Sequence, residues 1–500
     1  MPLSFPLATS KWIALSPRWR ALFLVSWCGF LFFYGLAGPE LWRTENLRAI
    51  IAEGMLRSRN WIVPTLYGEP LFTKPPGMYV AIVLCSLPFG RVTELSARLP
   101  SALAASLTVI LFYRLFSRQL GRLAGLMAAV ILPMSLLYLD KGTAAEIDML
   151  QVTWVMGGML CLLRALEEVE DPQGSKKRLG AWWLGAMVCV AGGVLTKWTA
   201  PVFFYCTAVP LLWSRGKLRL LWSRQHLCAA AFGAGLVLAW VVAAIYSTGW
   251  EVFSTTVLAE ALPRLVPGYV TQHHEHLPYW LEVLVHPFWL LATALPWSVV
   301  ALWTLRPGFS RLWDDDGRRL LTFFHCWTWP NMLFWTFMPD HTPRHCSPMF
   351  PGLAGLAAMV CLAWFKGIVA LPWPRIAPAR FLTGVLALFM AAKVVFVEAV
   401  MPHRNALREP RAKGLSHASL IPVGSCLYLV RVKDEGIMFY FGGSVIRLKS
   451  FADLPSSPEP MYCILDTLEL QHISQSREMD VVQNLTDEQG KPIFLVRVLK

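Results

Sequence analysis

Side chains equipped for chemistry are few in this chain, and they fall in short polar segments between long apolar runs. The first such segment contains Leu41-Trp42-Arg43-Thr44-Glu45-Asn46-Leu47-Arg48 and ends in Phe72-Thr73-Lys74-Pro75-Pro76. A carboxylate just beyond an apolar run, as Glu45 is, can serve as a general base at a membrane surface or be an ordinary solvated acid. Lys74 precedes two prolines that stiffen the backbone and limit where its ammonium reaches. That suits it to a phosphate or to leaving-group charge, the plain alternative being an interfacial anchor. A second turn, Lys141-Gly142-Thr143-Ala144-Ala145-Glu146-Ile147-Asp148, puts Glu146 and Asp148 where a spanning helix begins, a place where an acid also serves the helix dipole. Lys197 stands between two apolar runs, where a charge is costly unless paired or functional. A third segment carries Glu260, Arg264 and Gln272-His273-His274-Glu275-His276-Leu277-Pro278-Tyr279-Trp280. Its histidines match no standard zinc spacing and the run does not read as a helix, so hydrogen bonding to a polar ligand is read ahead of metal binding. In Pro343-Arg344-His345, the guanidinium offers a bidentate phosphate grip or an interface anchor.

The elements that position these residues are membrane spans. Of the 500 residues, 55% are hydrophobic and 15% charged, and the mean hydropathy is +0.48. A soluble domain carries about a quarter charged residues, so this much apolar surface requires lipid. About eleven runs of near-spanning length are predicted: 21–38, 97–116, 123–139, 149–165, 181–196, 199–213, 228–247, 283–304, 320–338, 347–365 and 381–399. Gly77 to Gly90 is apolar but short and contains Pro88, so it is read as an interfacial or re-entrant helix in the first outer loop. With it left out, the clusters Arg114/Arg118/Arg122, Lys176/Lys177/Arg178, Arg215/Lys217/Arg219/Arg224 and Arg306/Arg311/Arg318/Arg319 share one side with the basic N-terminus, as the positive-inside rule requires. The polar segments described above then converge on the opposite, outer face, at 39–96, 140–148, 248–282 and 339–346. The net charge of +13 is thereby a topology signal more than a nucleic-acid footprint. The eleven cysteines show no CxxC or Cys/His ligand spacing and read as core filler. The run from Ala21 lacks a clear cleavage site and is expected to remain as the first helix.

Beyond residue 400 the character changes. Ser425–Val432, Gly436–Tyr440, Met461–Asp466 and Ile493–Leu499 read as short strands among polar segments, a small α/β domain. The expected division is a transmembrane domain over 1–400 and this outer domain over 401–500.

The order of motifs resembles the bacterial membrane glycosyltransferases related to protein O-mannosyltransferases and to the enzyme that adds aminoarabinose to lipid A. The matching stretches are Glu45, Asn60 to Pro76, Glu146 to Asp148, Gly193 to Lys197, His274 to Trp280 and Pro343 to Pro348. The long first-loop motif is the specific one. Departures are Thr44-Glu45 with Arg48 one place later than usual, Trp198 in place of a glycine, and His345 in place of a tyrosine. The resemblance implies a GT-C type fold, a polytopic α-helical membrane protein with a small C-terminal α/β domain. It also implies a sugar donor on a polyprenyl phosphate and an acceptor that is a lipid, a glycan or a protein, without nucleic acid. In that reading Glu45 takes the acceptor proton and Asp148 holds the acceptor or neighbouring cations. Lys74, Lys197 and Arg344 bind the donor phosphate, while Arg48, Glu146, Arg264, His274, His276 and Tyr279 line the substrates. No cofactor is required, although the gathered acids leave a divalent metal open, and no nucleotide-binding glycine loop is visible. The implied place is the periplasmic face of a bacterial inner membrane.

Two rival classes predict different features. A lipid-linked sugar flippase calls for midplane polar residues and paired broken helices, which the sequence does not display. A non-catalytic scaffold for the C-terminal domain makes Glu45, Lys74 and Asp148 dispensable.

Overall fold

The computed structural model describes residues 16–266, 278–370, 377–430, 432, 434–455, 459–473, 478–487 and 490–499. Each apolar run predicted as a span overlaps at least one helix, although residues 34–38 of the first run are turn and the runs 123–139 and 283–304 are interrupted. Among the described residues, six helices are long and apolar enough to cross a membrane, or up to eight when two bent pairs are counted as single spans. Those pairs are Arg122–Ile131 with Leu136–Gly142, bent by 80°, and Tyr279–Thr293 with Trp297–Leu305, bent by 109°. The sequence reading expected no paired broken helices, because apolarity continues across each break and hides it. The remaining three runs fall short for separate reasons. Pro17–Cys28 passes into a five-residue π-helical stretch, Gly29–Phe33. Ala200–Ser214 has only 15 residues, about 22 Å at ~1.5 Å per residue. Asp315–Thr336 opens with four charged residues and carries His325, Pro330 and Asn331 in its interior, which keep its hydropathy low. The chain is a multi-pass membrane protein.

Two compact units are present. Unit 1 comprises 1–34, 73–78 and 99–393, and unit 2 comprises 35–72, 79–98 and 394–500. The unit that holds residues 401–500 thus also takes in most of the first predicted outer loop.

Unit 1 is built around Phe350–Phe365, buried from Phe350 through Trp364 and packed on Asp315–Thr336, Trp297–Leu302 and Arg122–Ile131. Close approach explains Gly355, where an added Cβ would sit 2.5 Å from the Phe324 ring. At the other extreme, only 22% of the apolar window in Arg224–Thr248 is buried, as suits a helix whose neighbour is lipid. Trp250–Leu265 is a helix, a correction to the loop expected over 248–282.

Unit 2 contains the helix Thr44–Ser58 and a hairpin of β1 (Thr65–Leu66) and β2 (Glu69–Pro70). Its sheet has β3 (Leu427–Val430), β4 (Val445–Leu448), β5 (Met461–Asp466), β6 (Met479–Thr486) and β7 (Pro492–Val498) in the order β4-β3-β5-β7-β6. The β3 pairings with β4 and β5 are parallel and those of β7 antiparallel. One apolar core, around Leu427, Leu429, Ile437 and Ile464, also takes Ile50 and Tyr67 from the first loop. The predicted strand Gly436–Tyr440 is instead the helix Glu435–Phe441. Its apolar run suits a strand, but Asp434 Oδ1 accepts the Ile437 N–H and Gly442, at φ 67°, closes the other end.

Candidate functional site

Three of the sequence motifs meet in unit 1. Ile147–Glu170 and Lys176–Thr196 pack against one another, with Asp148 in the first turn of one and Lys197 at the C-terminal cap of the other. Each charge therefore sits at the helix end whose dipole favours it. Lys197 Nζ donates to Asp148 Oδ1 at 2.8 Å, and both side chains are buried. An ammonium has three N–H groups, and among the described residues Lys197 uses this one hydrogen bond. Two donors on a buried cation are left over.

Arg344 enters from the short helix Pro343–Met349, which packs on Ile147–Glu170. Its Nη1 lies 3.8 Å from Glu146 Oε1, too far for a hydrogen bond. Its side chain is 36% exposed, so most of its five N–H groups remain available. Arg344 and His345 both lie within electrostatic reach of Asp148, and Lys141 within reach of Asp140, Glu146 and Asp148. His345 Nδ1 is 3.2 Å from Asp340 Oδ2. Burial pushes the Asp340 carboxyl up, but the His345 hydrogen bond and charge outweigh it and hold the group well below the usual carboxylate range.

Lys74 also belongs to unit 1, where its Nζ pairs with Glu260 of Trp250–Leu265. The stretch after it is docked by Gly77, at which a Cβ would lie 2.7 Å from the Leu195 carbonyl and 2.9 Å from Thr196 Oγ1. The Lys74-Pro75-Pro76 segment is thereby held beside the turn that carries Lys197. Tyr279 begins its helix and donates from its hydroxyl to the Phe337 carbonyl at 2.8 Å. Arg264 is on Trp250–Leu265, with its side chain outside the described part, and His274 and His276 lie outside the described residues.

Glu45 stands in unit 2, at the start of Thr44–Ser58. Its Oε1 accepts Arg98 Nε at 2.8 Å, and Oε2 accepts Arg98 Nη2 at 2.9 Å and the Trp42 N–H at 2.8 Å. Arg98 donates further to the carbonyls of Leu36, Pro39 and Glu40 at 2.7–3.0 Å. Arg48, on the same helix, is buried. Sequence reasoning missed Arg98, Asp340 and the pairing of Glu260. Arg98 had a signal, an ionisable residue inside an apolar run; Asp340 sits in a polar turn and Glu260 on a helix that reads as loop in sequence, and neither gave one. Among the described residues, no group of three His, Cys, Asp or Glu side chains is arranged to hold a metal ion.

A profile of the dolichyl-phosphate-mannose-protein mannosyltransferase family matches residues 73–246. An undecaprenyl phosphate-alpha-4-amino-4-deoxy-L-arabinose arabinosyl transferase 2 of Pseudomonas fluorescens is 26% identical over 415 residues, covering 81% of this chain and 67% of the relative. Its counterpart in Sodalis glossinidius is 30% identical over 351 residues, covering 65% of this chain and 56% of the relative. The chain spans about half to two-thirds of the length of such relatives. In fold, it is similar to ArnT from Cupriavidus metallidurans bound to undecaprenyl phosphate, at a TM-score of 0.74 and 16% identity over 96% of this chain and 98% of that one. It is also similar to the Archaeoglobus fulgidus oligosaccharyltransferase, at 0.52 and 11% over 91% and 70%. In its motifs, in the family profile over residues 73–246 and in its fold, the chain is similar to the GT-C type membrane glycosyltransferases of the protein O-mannosyltransferase and aminoarabinose transferase-like family.

Proposed function

We propose that the chain moves a sugar from a polyprenyl-phosphate donor to an acceptor hydroxyl or phosphate oxygen at the periplasmic face of a bacterial inner membrane. The observation that carries this reading is the open pair of cations: Lys197 with two unused N–H groups and Arg344 with a guanidinium held only loosely. A phosphate that takes up negative charge as its bond to the sugar breaks is the partner such donors suit. The names of the relatives support a prenyl-phosphate donor, and the basic clusters placed inside support the outward orientation.

The reaction in this reading is a direct displacement. An acceptor oxygen forms a bond to the anomeric carbon while the bond from that carbon to the phosphate oxygen breaks, its electron pair leaving on the prenyl phosphate. Lys197 and Arg344 stabilise that charge, with Lys74 nearby along the chain segment that Gly77 docks. Asp148 fixes the Lys197 ammonium. Glu45 takes the acceptor proton on an oxygen now committed to Arg98 and the Trp42 N–H, a contact that substrate binding has to open. These side chains serve the phosphate without a divalent metal, so a chelator leaves the rate unchanged.

A transport reading draws on one observation, the two bent helix pairs, since broken helices line the sites of many transporters. One experiment separates the two. Purified protein is given mixed polyprenyl-phosphate sugars and a membrane extract, beside Lys197→Gln and Arg344→Gln variants. Formation of a glycoside with release of prenyl phosphate by the parent, and its loss in the variants, is expected. Movement of the donor across a vesicle with no glycoside would overturn the transferase reading in favour of transport.

A further inference from the structure

Unit 2 contains a cleft of about 660 Å³, within the range of ~300–1,000 Å³ typical of small-molecule sites. Its lining includes none of the side chains of the unit 1 cluster. Three guanidinium groups reach it from three separate segments: Arg57 from Thr44–Ser58, Arg91 from the turn before Glu94, and Arg411 from the helix Pro410–Leu420. Two carboxylates join them and are held in place. Glu53 accepts the Val92 N–H at 2.7 Å and Arg57 Nε at 2.6 Å. Glu94 accepts the Tyr440 hydroxyl at 3.0 Å and pairs with Arg411, while that hydroxyl accepts the Leu41 N–H at 3.0 Å. Arg57 and Arg411 thus have acidic partners. Arg91 is exposed and makes no ion pair among the described residues, which leaves the cleft with one uncompensated positive charge.

The walls are also aromatic. Tyr67 and Tyr440 both line the cleft, with the Arg447 guanidinium 4.9 Å from the first ring and that of Arg411 5.3 Å from the second. Tyr67 occupies the first of two positive-φ positions in the β1–β2 hairpin, at φ 53°, before Gly68 at 85°. Such turns favour Asn or Asp at that position, and a bulky aromatic there is strained. Strain of this kind persists where the surroundings over-determine it and it clusters at ligand sites. Fixed acceptors and guanidinium donors together match a saccharide, whose hydroxyls donate and accept. The surplus charge at Arg91 adds a phosphate or carboxylate to the description.

We infer that the unit 2 cleft binds a saccharide bearing an anionic group, as a recognition site for the acceptor. The acceptor role rests on the transferase reading; the binding itself does not. The test uses the full chain purified in detergent, titrated with glucose 1-phosphate, glucuronate and glucose, beside an Arg57→Gln/Arg91→Gln double variant. Both side chains are solvent-exposed, and an unchanged unfolding temperature checks that the variant folds. Both anionic sugars are expected to bind, glucose at least about tenfold more weakly, and the double variant to lose about tenfold in affinity for the anionic sugars, the scale of one charge-assisted hydrogen bond. Glucose binding as tightly as glucose 1-phosphate, or binding indifferent to the double substitution, overturns the inference. Transfer by the parent with an acceptor KM that the double variant leaves unchanged removes the acceptor role while the transferase stands. Arginine-dependent sugar binding without any transfer keeps the cleft and removes the transferase.

Discussion

Two buried ion pairs look alike on paper and differ in what they leave undone. Glu45 and Asp148 each sit in the first turn of a helix, and each meets a cation some fifty residues along the chain. Arg98 uses all five of its N–H groups, two on Glu45 and three on backbone carbonyls. Lys197 uses one of three. The first pair is a clamp, closed as it stands: it fixes the path of the chain from Leu36 to Glu45, and a substrate has to open it before Glu45 can act as a base. The second is an open site whose remaining hydrogen-bonding capacity points to a ligand. A buried charge by itself is therefore a weak functional signal, and its unspent donors are a stronger one.

The sharpest way to break this contrast is to remove the clamp's cation. Arg98→Met leaves the Glu45 carboxylate buried without its partner and is expected to cost about 3–5 kcal/mol of stability, read as a lowered unfolding temperature and reduced yield of monodisperse protein. A variant that stays fully stable would show that the clamp is not structural. In the open site the order of effects reverses. Lys197→Gln keeps a donor beside Asp148 but removes the charge, and transfer is expected to fall by about 10²–10³, with prenyl-phosphate binding weakened in parallel. If stability drops while the turnover of the surviving protein is normal, Lys197 belongs with the clamp.

Smaller perturbations sharpen the same comparison. Gly77→Ala pushes a methyl against the Leu195 carbonyl and is expected to cost about 1–3 kcal/mol, with donor affinity falling as the Lys74 segment lifts from the Lys197 turn. Thermal unfolding and donor titration on one preparation check both. Arg344→Lys retains charge but loses the planar fork, so a loss of about tenfold in transfer is expected; an unchanged rate would mean that charge alone suffices there. The smallest effect concerns Asp340, whose carboxyl is held low by His345 against the opposing effect of burial. Its contribution to stability is fully present above the ordinary aspartate value of about 4 and is lost as pH falls through the lower folded value. The deficit in unfolding temperature of Asp340→Asn should thus be present at pH 5 and shrink as the pH falls below 4. A deficit that stays unchanged from pH 5 down to pH 2 would contradict this assignment.

How much was legible in advance depends on the range over which each feature is encoded. Each predicted span holds helical chain over most of its length because apolarity over some twenty residues is a local property of the chain. The breaks near residues 132–135 and 294–296 escaped, since hydropathy does not register direction. Lys197, Asp148 and Arg344 were picked out as costly or well-placed charges, yet nothing near any of them in sequence names its neighbour. Trp250–Leu265 reads as loop in sequence because its polar residues interrupt the apolar pattern, and the Lys74 pairing with Glu260 depends on that helix.

The sequence by itself determined that this chain lives in a membrane, where its long apolar runs fall, and which few charged side chains are expensive enough to need a reason. Only the tertiary structure decided the partners: that Arg98 closes on Glu45, that Lys197 keeps two donors open beside Asp148, and that the first loop shares a core with the C-terminal sheet. The physical reason is one of distance. Burial and helicity follow from the solvent preference of neighbouring residues, whereas an ion pair between positions 49 or 53 residues apart exists only once the backbone has brought them together.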